Sequence, residues 1–292
     1  MMRPPFLQRL SRKLDKTLAG LLFVDQWVIM VARGAQYDSL HWTDFQAIVP
    51  EKDRYWGDPF ILQRGPDYHV FVEEKIYATG KGHIACLTLD RDGHLLSRQV
   101  VLERDCHLSY PFVFEQDGET FMIPETAERR TVELYRCVDF PARWEFVRTL
   151  LTGMYAVDAT LLQHTGRYWL FANVREPTGS SLNALSLFSA DSLFSEAWLP
   201  HPRNPIVQDI RSARPAGRIF TKEGNMIRPS QDSSRRYGYG LRFNRITRLT
   251  ELDYEETLEA RFEPAGGRAL GTHTFNQAGE LTVIDAIIRR RK

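Results

Sequence analysis

The sequence predicts an all-β fold, a five-bladed β-propeller closed by its amino-terminal strands, preceded by a short amphipathic helix. Three observations carry that expectation. Five segments repeat one pattern: a polar residue, an apolar strand, a polar turn and a second apolar strand with a polar end. They are DPFILQRGPDYHVFVEE from Asp58, YPFVFEQDGETFMIPET from Tyr110, DATLLQHTGRYWLFANV from Asp158, RPAGRIFTKEGNMIRPSQD from Arg214 and HTFNQAGELTVIDA from His273. The starts lie 52, 48, 56 and 59 residues apart, a period that fits a propeller blade of several strands. The fifth repeat stops too early for a full blade, since only Arg289, Arg290, Arg291 and Lys292 follow Ile288.

Taken in chain order, residues 3–21 read as a basic amphipathic helix. Phe6, Leu7, Leu10, Leu14, Leu18 and Leu21 form an apolar stripe, Arg9, Arg12, Lys13 and Lys16 lie mostly off it, and Pro4-Pro5 suits a helix start. Two readings stand: a helix lying on an anionic membrane surface, or one packed on the domain that follows. Strand-like runs at Trp27–Ala32 and Phe45–Val49 then supply what the last repeat lacks, so the ring is expected to close by mixing both chain ends in one blade. The division is therefore an arm over residues 1–24 and one propeller over 25–292.

Within the repeats, the turns Gly-Pro-Asp, Gln-Asp-Gly, Thr-Gly-Arg, Lys-Glu-Gly-Asn and Gln-Ala-Gly are hairpin signals. Third strands are expected at His83–Leu89, Thr131–Cys137, Asn183–Phe188 and Tyr237–Phe243. Fourth strands are expected at Gln99–Leu102, Trp144–Leu150 and Thr257–Phe262.

Composition narrows the function classes. Lys plus Arg is 38 against 37 Asp plus Glu, a net charge of +1, which lacks the basic surplus of a protein that holds nucleic acid by bulk charge. Apolar residues at 43% and charged residues at 26% are those of a globular domain rather than a disordered or fibrous chain. The three cysteines, Cys86, Cys106 and Cys137, are odd in number and not at metal-ligand spacing, which favours a reducing, cytoplasmic setting. The longest early apolar run, Leu18–Val24, is too short to span a bilayer and makes a poor signal peptide. The expected location is cytoplasmic, with peripheral contact at the inner membrane face if the helix binds lipid.

Propeller geometry places the candidate site. First strands line the central channel, so the residues that open them, Asp58, Tyr110, Asp158, Arg214 and His273, face its mouth. Second strands return there and end in Glu73-Glu74, Glu125-Thr126, Asn173, Gln231-Asp232 and Asp285. Any one of these polar residues can simply cap a turn. As a group, carboxylates with an arginine and a histidine fit glycosidic chemistry, which needs one protonated and one ionised carboxyl group. Trp56 is placed to stack on a sugar or to pack in the rim. Arg228 is placed to bind an anion or to pair with a channel carboxylate. His83 reads as structural, and Gly80-Lys81-Gly82 is too short for a phosphate loop. No metal or cofactor is expected.

Many short motifs recur in order: Trp56-Gly-Asp-Pro-Phe60, Phe71-Val-Glu-Glu74, Lys81-Gly-His-Ile84, Ser109-Tyr-Pro-Phe112, Ile123-Pro-Glu-Thr126, Asp158-Ala-Thr160, Trp169-Leu-Phe171, Ala213-Arg-Pro-Ala-Gly217, Arg228-Pro-Ser-Gln-Asp232, Gly271-Thr-His-Thr-Phe275 and Val283-Ile-Asp285. Together they resemble the amino-terminal domain family of glucosamine inositolphosphorylceramide transferases, over nearly the whole chain from Trp27. Relatives of that domain accompany sugar formyltransferases or stand alone in surface-polysaccharide loci. The family in turn is similar to the five-bladed propellers of glycoside hydrolase families 43 and 32. That resemblance implies Asp58, in its Trp-x-Asp-Pro context, as base or nucleophile, Asp158 as the tuner of pKa, and Glu125 or Glu74 as acid. Tyr110 and Arg214 stand where those hydrolases would have a carboxylate.

Arg214, Arg228 and His273, with Trp56, Tyr110, Gln231, Asp232 and Asp285, would hold a saccharide or activated sugar. Three functions compete: a glycosidase-like or glycosyl-transferring enzyme of surface polysaccharide or glycolipid assembly, a sugar-binding module serving a partner glycosyl- or formyltransferase, and a scaffold for protein partners.

Overall fold

In the computed structural model, residues 22–175, 183–264 and 269–291 are described. The expected helix over 3–21 lies outside them. The strands form five antiparallel sheets, one per repeat. Blade one contains Arg54–Arg64, Asp67–Ile76, Gly82–Leu89 and Leu95–Leu102; blade two contains Ser109–Gln116, Glu119–Thr126, Thr131–Asp139 and Arg143–Thr152. Blade three contains Tyr155–His164, Arg167–Arg175, Leu185–Ala190 and the short Leu199–Pro200; blade four contains Phe220–Lys222, Asn225–Asp232, Gly240–Leu249 and Tyr254–Phe262.

Blade five mixes both chain ends, as expected. Its inner segments Ala269–Gly271 and Phe275–Ala278 both pair with Leu281–Arg291, which pairs with Phe23–Arg33, and Gln46–Ile48 forms the outer edge. Phe23–Arg33 runs against Leu281–Arg291 in unbroken register from Phe23↔Arg291 to Arg33↔Leu281. That pairing closes the ring and leaves no open edge between the first and last repeats.

The hairpins follow from turn chemistry. Asp117-Gly118, Thr165-Gly166 and Glu223-Gly224 all have positive φ, the two-residue geometry whose twist suits adjacent antiparallel strands. The expected strand at Tyr237–Phe243 begins later, at Gly240. The amide of Tyr239 donates to the carbonyl of Asp232, so the preceding residues turn instead of extending, and Tyr237 belongs to that turn.

The core lies between blades. Phe60 and Phe71 of blade one share an apolar cluster with Phe112 and Ile123 of blade two and Leu170 of blade three. Trp169 and Leu187 meet Ile219 and Ile246 across blades three and four. Phe243 and Ile227 meet Phe275 and Ile284 across four and five. Ile29 and Val283 meet Ile61 and Val70 where five returns to one. Each such side chain contributes about 1.5–3 kcal/mol when fully buried, so every blade depends on its neighbours.

Candidate functional site

Each of the first three blades opens on a kink. Asp58, Tyr110 and Asp158 have φ of 50°, 41° and 54°, a left-handed conformation uncommon for residues other than glycine. Strand register breaks at the same points, between Gly57 and Phe60, Ser109 and Phe112, and Val157 and Thr160. The following residue is Pro59, Pro111 or Ala159. These bulges free three backbone amides from the sheet, and carboxylates from elsewhere in the ring receive them. Asp285 accepts from the amide of Asp58 at 3.0 Å, Asp58 from that of Tyr110 at 3.2 Å, and Glu125 from that of Asp158 at 3.3 Å. The turn-capping role is therefore real, and it brings acids from several blades to one end of the channel.

Two charged nodes result. In the first, His273 Nδ1 lies 2.5 Å from Asp285 and 3.7 Å from Asp58. Thr274 Oγ1 donates to Asp58 at 2.9 Å. Burial, joined by repulsion from Asp158, Glu73 and Asp285 and opposed by His273, pushes the Asp58 carboxyl up to about 7. Burial alone would lower the His273 pKa, but Asp285 and Asp58 outweigh it and raise the imidazole to about 9. In the second node, the Arg214 guanidinium grips Asp158 through Nε and, at 3.4 Å, through its terminal nitrogen. Gln231 Nε2 donates to Asp158 at 3.1 Å and to the carbonyl of Pro215 at 3.0 Å. Glu125 is partly exposed. Burial and the charge of Asp158 hold its carboxyl well above the ordinary range, and Arg214 offsets this only in part.

The structure thus gathers Asp58, Glu125, Asp158, Arg214, Gln231, His273 and Asp285, and it turns the other candidates elsewhere. Glu74 is completely buried on the opposite face of its strand from Glu73, beneath Arg98, with His83 at 2.8 Å and Trp56 Nε1 at 2.7 Å. A carboxylate so enclosed cannot meet substrate, and Trp56, packed in the interior beside it, has no free face for a sugar. Arg228 is also buried, its fork closed on Glu256 of the outer strand at 2.6 and 2.7 Å. Asp232 pairs with Arg242 at 3.1 Å and belongs to the blade interior. Tyr110 stays in the channel as a strut: fully buried, its hydroxyl meets Thr160 at 2.8 Å and accepts the Gly217 amide at 2.8 Å. It therefore offers no group to a ligand.

Several further residues stand at this end. Trp27 stacks on His273 with ring centroids 4.0 Å apart, and Tyr237, 42% exposed, meets the same imidazole edge-on and lies under the Arg214 guanidinium. Tyr55 donates to Glu73 at 2.7 Å. Asn173, entirely buried, has neither amide atom paired. Glu73 and Asn173 were legible as strand ends. Trp27 and Tyr237 were not, because one enters from the closing strand and the other from a turn.

Asp58, His273 and Asp285 could offer a metal three ligand atoms that lie within 4.8 Å of one another. The raised pKa of His273 favours its imidazolium form, so a proton already holds the nitrogen that a cation would need. Asp90, Asp92 and His94 form a second group, on a surface turn, where Asp90 already accepts the amides of Asp92 and His94.

Among solved structures, a family 117 glycoside hydrolase from the marine bacterium Zobellia galactanivorans superposes with a TM-score of 0.57, at 11% identity and over 90% of each chain. An exo-beta-1,3-galactanase from Phanerochaete chrysosporium, solved with beta-1,3-galactotriose, gives 0.57 at 12% identity over 90% of this chain and 64% of its own. At such identities the shared feature is the fold. Closer in sequence is glucosamine inositolphosphorylceramide transferase 1 of Arabidopsis thaliana, 34% identical over 226 residues, which are 76% of this chain and 29% of the relative. The chain thus spans less than a third of that relative's length. Residues 47–272 match the family described as glucosamine inositolphosphorylceramide transferase 1, N-terminal. This five-bladed propeller belongs to that family of amino-terminal domains.

Proposed function

We propose that the chain handles carbohydrate at the channel end, as a glycosidase-like or glycosyl-transferring protein of surface polysaccharide or glycolipid assembly. The observation that carries this reading is the convergence of Asp58, Glu125 and Asp158 from three successive blades beside Arg214 and His273. Glu125, partly exposed and with a raised pKa, is suited to protonate a leaving oxygen. Asp58, poised near neutrality, is suited to act as base or nucleophile. Asp158, gripped by Arg214, raises the pKa of both by its charge. Trp27 and Tyr237 give the apolar edge that a sugar ring favours. The activities of the family members and the sugar ligands of propellers with this fold agree with such a role.

The test is turnover of labelled glycans and activated sugars by the wild type, Asp58→Asn and Glu125→Gln, with binding followed by calorimetry. The expected result is a rate loss on the order of a hundredfold or more in both variants with binding retained. Unchanged turnover in both would defeat the assignment.

A second reading has its own support. Both oxygens of Asp58 and both of Asp158 already accept hydrogen bonds, and the chain covers only part of its relative. A module that presents a glycan to a partner glycosyl- or formyltransferase would show binding without turnover. A cytoplasmic setting is part of the proposal, supported by three unpaired cysteines, and cell fractionation tests it. Contact of residues 3–21 with an anionic membrane is likewise proposed, on their sequence pattern alone.

A further inference from the structure

One carboxylate at the channel end has no task in the two charged nodes. Glu73 holds in blade one the register position that Glu125 holds in blade two: Glu73 lies opposite Gly57, and Glu125 opposite Ser109. By that correspondence it would receive the bulge amide of the next blade, as Glu125 receives that of Asp158. Asp58 takes the Tyr110 amide instead, and Glu73 is left over. The residue is only 7% exposed, and its two oxygens are not treated alike. Oε1 accepts the Tyr55 hydroxyl at 2.7 Å, and His107 Nε2 stands 3.2 Å from the same oxygen. His107 Nδ1 accepts the Gly82 amide at 2.9 Å, so that nitrogen carries no proton and the imidazole is neutral. Among the described residues, no donor reaches Oε2 and no Lys or Arg lies within ion-pair distance of Glu73. The imidazolium of His273 is already engaged by Asp285 and Asp58.

The free oxygen borders a small hollow. A Cβ added to Gly57 would have as its nearest neighbours Glu73 Oε2 at 3.7 Å, His273 Cε1 at 3.9 Å and Tyr55 Cε2 at 3.9 Å, all ordinary contact distances. The space over the Gly57 Cα therefore takes one more group of methyl or hydroxyl size, with an acceptor on one side and ring edges on the others. Gly57 is not among the glycines of positive φ, so its lack of a side chain supplies room rather than backbone freedom.

We infer that Glu73 is a specificity-determining residue of the carbohydrate site, its Oε2 accepting a hydrogen bond from a hydroxyl or amino substituent of a sugar that enters the hollow over Gly57. The inference rests on the carbohydrate reading of the channel end and adds to it the feature of the sugar that is recognised. A ligand O–H or N–H completes the coordination of this buried oxygen, whereas an analogue without that donor leaves it unpaired at a cost in affinity.

Saturation-transfer difference NMR titration near neutral pH, with D-glucose in one arm and D-glucosamine in the other, tests the role. Saturable binding to the wild type is expected in at least one arm. Tighter binding of glucosamine identifies the amine as the donor, and equal or tighter binding of glucose identifies a hydroxyl. Glu73→Gln, which removes the charge at Oε2, should weaken binding about tenfold, the effect of one charge-assisted contact. Gly57→Ala should weaken it as well, because the methyl covers Oε2. Its melting temperature should stay near that of the wild type, since the added carbon meets nothing closer than 3.7 Å. If Gly57→Ala fails to fold, Glu73→Gln decides alone. Saturable wild-type binding that the substitutions do not weaken overturns the inference, and so does binding of neither sugar to the wild type. The carbohydrate reading itself is judged separately, by the turnover of Asp58→Asn and Glu125→Gln.

Discussion

Asp58 and His273 make the stability of the protein depend on pH in a defined direction. Both groups have folded pKa values above their ordinary ones, Asp58 at about 7 and His273 at about 9. Such a group binds more protons folded than unfolded between the two values, so its contribution to stability falls as pH rises through that interval. For Asp58 the interval runs from about 4 to about 7, and for His273 from about 6.5 to about 9. Urea denaturation from pH 4 to 9 should show stability declining by an amount on the order of a few kcal/mol. Asp58→Asn should flatten the lower half of that decline. A wild-type stability that instead rises steadily from pH 5 to 9 would contradict the protonation states assigned here.

At the scale of elements, the close approach of blades four and five sets the tightest constraint. Gly217 follows Pro215-Ala216 at φ 127°, where a Cβ would drive into the carbonyl oxygen of Phe275, and its amide binds the Tyr110 hydroxyl. Gly217→Ala should therefore cost more than about 3 kcal/mol, combining backbone strain with lost packing, and should yield little soluble protein. Near-wild-type unfolding of that variant would show that the two blades are not so close. The sequence marked the hairpins accurately because Gly with Asp, Thr or Glu at a two-residue turn has few alternatives. It did not tell which of two adjacent polar residues faces the channel. Glu73 and Glu74, or Gln231 and Asp232, point to opposite faces by strand alternation, and which face meets the channel is fixed by the partners each side chain finds in the ring.

For the whole molecule, closure is the decisive feature. The eleven paired positions between Phe23–Arg33 and Leu281–Arg291 lie between two apolar clusters, one shared with blade four and one with blade one. Removal of residues 282–291 should therefore abolish cooperative folding of the whole ring rather than loosen one blade. Circular dichroism and size exclusion of the truncated chain check this. A truncated chain that stays monomeric and melts in a single sharp transition would speak against closure by that pairing.

The period near fifty residues, the turn chemistry and the shortfall of the last repeat were enough to determine the five blades and the mixed closing blade, because they depend on local pattern and on the need to cover a sheet edge. The positions of Asp58, Glu125, Asp158 and His273 near one another followed from that symmetry. The sequence left undecided which polar residues remain available. Glu74, Arg228 and Asp232 are closed off by partners on their own blades, while Trp27 arrives from the closing strand and Tyr237 from a turn of blade four. Only the tertiary structure decides this, since a buried charge must find an opposite charge in space and that partner can come from any strand that passes nearby.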